Sequence, residues 1–258
     1  MEIIVISLLS AVDRRAFQKE QLGSLNLKFR FLNAIPKDLV SLETIRKHYY
    51  DWYRPLSKNE IACFQSHDLA WNIVINDDKP YLILEDDALL SKKINSILPT
   101  LSKIENYDLI NLENRGRKKF LSKSGIEINS ETVLYKLFQD RTGAAAYILW
   151  PSGARKLIDF TKNNGISLAD AHITSCPKLE TGQIEPTYAV QLDHCSFYGI
   201  SNIHIHLGKS SVSKTKNYKG GVYFRLKRIS SQIILGIKIL YISMISKRRF
   251  IRLNPEDF

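Results

Sequence analysis

The sequence predicts an α/β fold: a mainly parallel central sheet flanked by helices, followed by a basic, partly apolar helical tail. Three observations carry this. Apolar runs such as Glu2–Leu9 (EIIVISLL) and Tyr81–Leu84 have the length and branched side chains of strands buried on both faces. Helical patterns lie between such runs, so strand and helix alternate over residues 1–160. The net charge of +11 is uneven: from Lys209 onward twelve basic residues face only Glu256 and Asp257, so the body is near neutral and the tail cationic.

The 258 residues, 44% hydrophobic and 24% charged, can build one large domain or two small ones around a real core. Glu2–Leu9 could pass for the core of a signal peptide. Glu2, however, stands where basic residues would be, and Asp13-Arg14-Arg15 where a small-residue cleavage site would be. The run reads as a first strand of a cytosolic protein. Arg14–Leu25 reads as a helix, Lys28–Ile35 as a second strand, and residues 36–55 as a polar, aromatic loop with a short helix. Ser57 caps the next helix, which runs to about Asn76. Glu60 completes a capping box, and Leu56 with Ile61 forms a hydrophobic staple. The run Asn76-Asp77-Asp78-Lys79-Pro80 ends it. Tyr107–Leu112 and Ala144–Trp150 read as further strands, and Pro151 opens a helix through about Lys162. Cys63, Cys176 and Cys195 form no CxxC pair and are odd in number, so they read as free thiols in a reducing compartment.

The strand Tyr81–Leu84 runs straight into Glu85-Asp86-Asp87. Adjacent carboxylates after a buried strand are costly unless a cation neutralises them, and Mg²⁺ or Mn²⁺ prefers oxygen ligands. In an extended segment Glu85 and Asp87 face one side and Asp86 the other. A solvated acidic turn is the plainer alternative. The ATPase reading of such a strand end fails, because no GxxxxGK[ST] loop exists in the chain.

Four blocks in order carry a family resemblance: VISLLSAVDRR (5–15), LSKNEIACFQSH (56–67), YLILEDDALL (81–90) and AAAYILWPSGARKLI (144–158). Through them the chain resembles the glycosyltransferase family 25 lipooligosaccharide enzymes, which are related to the collagen galactosyltransferases. The resemblance implies a GT-A fold over residues 1–221, a nucleotide-sugar donor and a Glu-x-Asp form of the DxD metal motif. It implies Asp87 as a ligand of Mn²⁺ or Mg²⁺, with Glu85 as a further ligand, and Glu85 or Asp86 placed to hold the ribose or a metal-bound water. One of Arg14 and Arg15 is expected at the donor, and Ser66 and His67 border it, although His67 also reads as a buried imidazole. Late histidines often complete such metal sites; among His194, His204 and His206 the candidate ligand is His206, with His204 and His206 on one strand face. Tyr147, Glu113 and Asn114 are expected at the acceptor pocket by family position.

An inverting transfer needs a base for the acceptor hydroxyl. The family's carboxylate, commonly in a Pro-Val-Asp run, falls at Asp170, although Leu168 and Ala169 replace its first two residues. His172 is the alternative base; mere helix capping is the alternative role for Asp170. The tail, residues 222–258, has an apolar stretch Ile229–Ile245 with basic flanks, and Lys238 inside it makes a membrane span marginal. Such a segment suits the surface of an anionic leaflet, while packing on the body is the alternative. The expected function is transfer of galactose from UDP-galactose, or glucose from UDP-glucose, to a lipooligosaccharide acceptor, by a cytoplasmic protein held at the inner membrane face. No nucleic-acid partner is expected. The rival readings are a nucleic-acid-binding basic protein, which would bind DNA or RNA in a salt-sensitive way, and a glycan-binding relative without turnover.

Overall fold

The computed structural model describes residues 1–140, 143–208 and 221–258. Four of the tail's basic residues, Lys209, Lys214, Lys216 and Lys219, lie outside the described residues. The first strand β1 (Glu2–Ser7) is buried from Ile3 to Ser7 and pairs in parallel with β2 (Phe29–Asn33) and β3 (Tyr81–Glu85). Helix α1 (Val12–Ser24) links β1 to β2; the short α2 (Leu42–Lys47) and the long α3 (Lys58–Asn76) precede β3. There follow β4 (Ala88–Leu90), α4 (Leu98–Leu101), β5 (Leu109–Asn111), β6 (Lys119–Glu127), β7 (Val133–Gln139), β8 (Ala146–Leu149), α5 (Pro151–Asn164) and α6 (Ala169–Ser175). The chain closes with β9 (Thr181–Glu185), β10 (Ala189–Gln191), α7 (Val222–Ile245) and β11 (Lys247–Arg249).

Nine strands form one sheet in the order β11-β6-β7-β9-β5-β8-β3-β1-β2, and β4 pairs with β10 apart from it. The expectation of a mainly parallel sheet holds only around β1 and between β5 and β9. Among neighbours β1–β2, β1–β3 and β5–β9 are parallel, and the other five pairs are antiparallel. The physical reason is that β8 inserts antiparallel between β3 and β5, while β6 and β7 form a hairpin, which needs no crossover helix.

The two faces of the sheet follow the period-2 rule of a strand. Ile4, Ile6, Tyr81, Ile83 and Tyr147 pack against Ile61, Phe64, Trp71 and Val74 of α3 and Leu157 of α5. Ile3, Val5, Leu82, Leu84 and Ile148 pack on the other face, against Leu22 of α1 and Leu98 and Leu101 of α4. Helix α3 begins as its sequence requires: the Ser57 side chain accepts from the Glu60 N–H and the Glu60 carboxylate accepts from the Ser57 N–H. Glu60 gains a partner not legible locally, the Arg54 guanidinium, which grips both carboxylate oxygens at 2.9 and 2.6 Å.

The stretch expected as a tail divides in two. Helix α7 docks at its ends, with Phe224 buried against the rings of Tyr49 and Tyr50, and Ile242 buried near the far end. Its middle leaves Ile233, Ile234, Ile237 and Leu240 exposed. The residues after it return to the body: β11 pairs with the edge strand β6, Arg249 donates to Glu185 at 2.6 Å, and Ile251 is buried beside Leu121 and Leu137. The helix is long and apolar enough to cross a membrane.

Candidate functional site

The carboxyl ends of β1, β3 and β5 and the amino end of β8 meet at one edge of the sheet, and Glu85-Asp86-Asp87 lies there. Each carboxylate has its own surroundings. Asp86 accepts from Ser7 Oγ at 2.7 Å and from Arg14 Nη1 at 2.7 Å, which occupies both of its oxygens. Asp87 is buried; its Oδ2 lies 3.6 Å from Arg14 Nη1, and its Oδ1 has no hydrogen-bond partner among the described residues. Glu85 is partly open to the cleft, with Oε1 3.3 Å from His67 Nε2.

The turn is held from below by α1. Gln18 Nε2 donates to Asp86 O and Ala88 O, Gln21 Nε2 also donates to Ala88 O, and Gln21 Oε1 accepts from the Leu90 N–H. Two buried glutamines thus satisfy backbone groups that burial would otherwise strand. On the other side Leu192 N–H donates to Asp87 O, and β10 pairs with β4 so that Gln191 stands opposite Ala88. This pairing brings Gln191 and Asp193 beside Asp87.

The site holds more carboxylate than its surroundings neutralise. Burial, reinforced by Glu85, pushes the Asp87 carboxyl well above its ordinary range, with Arg14 opposing. Burial raises Glu113 to about 7, opposed by Arg115 and reinforced by Glu85, and its Oε1 also lacks a hydrogen-bond partner among the described residues. A divalent cation fits this deficit. Asp87 Oδ1 is a buried oxygen that lacks a hydrogen-bond partner among the described residues, Glu85 stands at the same opening, and both are hard donors. Asp86, with both oxygens engaged, is a positioning group for Arg14.

Two pockets meet here. One, about 500 Å³ in volume, runs from Ser7, Leu8 and Arg14 past Ala34–Asp38 to Ser66 and His67. The other is lined by Glu60, Arg115, Gly143, Asp170, Gln191 and Asp193. Cys63, Glu85 and Asp87 line both. Gly143 is needed at the wall: its φ is +126°, and a Cβ there would lie 2.5 Å from Asn111 Nδ2.

The expected site residues separate clearly. Arg14, Ser66, His67, Glu85, Asp86, Asp87 and Asp170 line the two pockets. Arg15 does not: it donates to Ser7 O, Leu8 O and Asn33 Oδ1 and lies over the Phe31 ring, bracing β1 to β2. Ser66 also ties the loop after β2, donating to Ala62 O and accepting from the Ile35 N–H. Residues 205–208 form a 3-10 turn instead of a strand, and the exposed His206, within hydrogen-bond distance of Ile203 O, lines neither pocket. His204 sits 3.3 Å from Glu20 and against Phe17.

His172 turns into the core between Phe64, Trp71 and Phe160, and burial lowers its pKa to about 4, so it is neutral and out of reach of the cleft. Tyr147, Glu113 and Asn114 are also buried and line neither of these two pockets. Tyr147 instead backs His67, with Oη 2.9 Å from His67 Nδ1 and accepting from Trp71 Nε1 at 3.0 Å. Asp170 lies in the first turn of α6, where its Oδ1 accepts from the Ala171 N–H at 2.7 Å, and burial raises its pKa. The sequence reading missed Cys63, Arg115, Gln191 and Asp193. For Cys63 a signal existed, since it sits four residues before His67 on one helix face; Gln191 and Asp193 are brought in by the β4–β10 pairing, Arg115 reaches Asp193 Oδ2 at 3.1 Å from the segment after β5, and none of the three has a local signal.

The family model described as glycosyltransferase family 25 (LPS biosynthesis protein) matches residues 1–173, and the chain belongs to that family. It is 28% identical over 206 residues to the lipooligosaccharide biosynthesis protein lic2B of Haemophilus influenzae, covering 72% of this chain and 74% of that protein. It is 28% identical over 173 residues to the lacto-N-neotetraose biosynthesis glycosyltransferase LgtB of Neisseria gonorrhoeae, covering 62% of this chain and 60% of that one. A further H. influenzae relative, 28% identical over 170 residues, is spanned over 59% of its length. The inositol-1-phosphate CTP transferase structure from T. maritima is similar at a TM-score of 0.43 and 11% identity, over 83% of this chain and 79% of that one.

Proposed function

We propose that the chain is an inverting hexosyltransferase that uses Mn²⁺ or Mg²⁺ to move galactose from UDP-galactose onto a lipooligosaccharide acceptor, with UDP-glucose as the alternative donor. The observation that supports this most is the meeting of two pockets at Glu85 and Asp87. A transfer reaction needs a leaving group on one side, an attacking hydroxyl on the other and the anomeric carbon between them.

The pocket beside Arg14 lies beyond the carboxyl ends of parallel strands, where nucleotides bind in open α/β sheets, and its volume of about 500 Å³ suits such a ligand. Asp87 and Glu85 would hold the cation, which when bound offsets the charge growing on a diphosphate leaving group. Arg14, fixed by Asp86, adds a positive charge on the donor side. Asp170 stands on the acceptor side; burial makes it a stronger base than a surface aspartate, suited to taking the hydroxyl proton. Arg115, Gln191 and Asp193 offer hydrogen-bond partners for sugar hydroxyls.

The donor sugar follows from the family resemblance, and the acceptor class agrees with the printed name of the H. influenzae relative. The exposed apolar side of α7 and its basic flanks support a peripheral position on the inner face of a bacterial cytoplasmic membrane.

The test is nucleotide release from UDP-galactose and UDP-glucose in Mn²⁺, Mg²⁺ or excess chelator, with native protein and Asp87→Asn. Turnover should require metal and be faster with UDP-galactose. The Asn variant should lose on the order of 10²-fold or more in rate at unchanged melting temperature. Full activity in chelator or in the variant overturns the metal assignment, and donor binding without turnover would favour the non-catalytic relative.

A further inference from the structure

We propose that Cys63, His67 and Glu85 form a second, thiophilic cation site in the cleft, which takes Zn²⁺ or Co²⁺ and competes with the hard cation for Glu85. Cys63 and His67 are four apart on α3, so their side chains stack on one face, and Glu85 reaches that face from the end of β3. One ligand atom from each lies within 4.8 Å of the other two.

The chemistry of the set differs from that of the Asp87 side. Sulfur, imidazole nitrogen and one carboxylate oxygen suit Zn²⁺ or Co²⁺, whereas Mg²⁺ and Mn²⁺ prefer oxygen throughout. Three protein ligands with a side facing the open cleft match a site that keeps a position free for water or another ligand. His67 is also held from behind. Its Nδ1 lies 2.9 Å from Tyr147 Oη, which itself accepts from Trp71 at 3.0 Å, and all three residues are buried. With Nε2 on the metal, Nδ1–H donates to Tyr147 Oη, the kind of outer partner that fixes a ligating imidazole. On binding, the Cys63 S–H proton passes to solvent, a sulfur–metal bond forms, and the cation sheds a water in exchange.

Because Glu85 serves both cations, occupancy of this site displaces the hard one. Inhibition by Zn²⁺ therefore rests on the transferase reading, whereas the binding does not. The binding test is Co²⁺ titration of the full chain without donor, read by the thiolate-to-cobalt charge-transfer band in the near ultraviolet. The native protein should develop the band, and so should Cys176→Ser and Cys195→Ser. Cys63→Ser should lose it while keeping the native circular dichroism spectrum, and Tyr147→Phe should weaken Co²⁺ affinity by about tenfold or more. No band in the native protein, or a band that persists in Cys63→Ser, overturns the site. If the chain turns over UDP-galactose with Mn²⁺, the concentration of Zn²⁺ for half-inhibition should rise about tenfold or more in Cys63→Ser. Equal sensitivity in the two proteins refutes the competition.

Discussion

Asp170 and His172 sit two residues apart in α6 and meet opposite fates. The aspartate faces the cleft, while the imidazole is stacked against Trp71 with ring centroids 5.7 Å apart. Of the two, only Asp170 lines the cleft, and it is the base of the proposed transfer. Asp170→Asn should therefore slow transfer by about 10²-fold or more while leaving donor affinity, measured by calorimetry with Mn²⁺, nearly unchanged. A large loss of donor affinity with little loss of bound-state rate would make Asp170 a donor ligand instead. The pH dependence has a definite sign. A base must be ionised, and burial raises this carboxyl above its ordinary value of 3.8, so kcat/KM should fall on acidification through a pKa above that value. A limb that persists unshifted in Asp170→Asn would assign the titration to another group.

Helix α3 shows how one element serves stability and the site together. Its start was legible, because the Ser57 and Glu60 spacing is a local signal for exposed N–H groups at a helix end. Arg54 was not, because its hold on Glu60 depends on how the preceding loop closes. Burial alone would raise the Glu60 carboxyl, but the Arg54 pair and the Ser57 bonds hold it below 4.5. A carboxyl depressed in the folded state contributes stability above its unfolded pKa, and that contribution is lost as pH falls through the folded value. Arg54→Ala should thus cost about 1–3 kcal/mol near neutral pH, shrinking towards zero in acid, as denaturant titrations at the two conditions would show. An equal cost at both would mean that packing of the arginine stem matters more than its charge.

At the scale of the whole molecule, α7 carries an apolar surface that the body leaves uncovered. Its 24 residues make a rod of about 36 Å at roughly 1.5 Å per residue, docked at both ends with its middle exposed. Removing residues 222–258 would take β11 and the buried Ile251 with it, so point changes are the sound test. Replacing Ile233, Ile237 and Leu240 by Asn should release the protein from anionic phosphatidylglycerol vesicles. Each buried apolar side chain contributes about 1.5–3 kcal/mol. Transfer to a soluble acceptor sugar should survive, and native binding should weaken with added salt. Vesicle binding unchanged by the triple substitution would remove α7 from the contact.

What the sequence alone determined is what short-range physics encodes: the buried strands β1 and β3, the capped helix α3, the helix opened by Pro151, and the acidic strand end with Arg14 before it. Those features rest on periodicity, capping and the cost of burying adjacent carboxylates, all contained within a few residues. The tertiary structure decided which of the adjacent acids is engaged and which is open, because Ser7 and Arg14 reach Asp86 from other elements. It also decided that β8 enters antiparallel, that His172 and Tyr147 face the core, and that Gln191 and Asp193 join the cleft through β10. Such outcomes depend on register and strand order, which pair groups far apart in the chain, and no local pattern of residues carries that information.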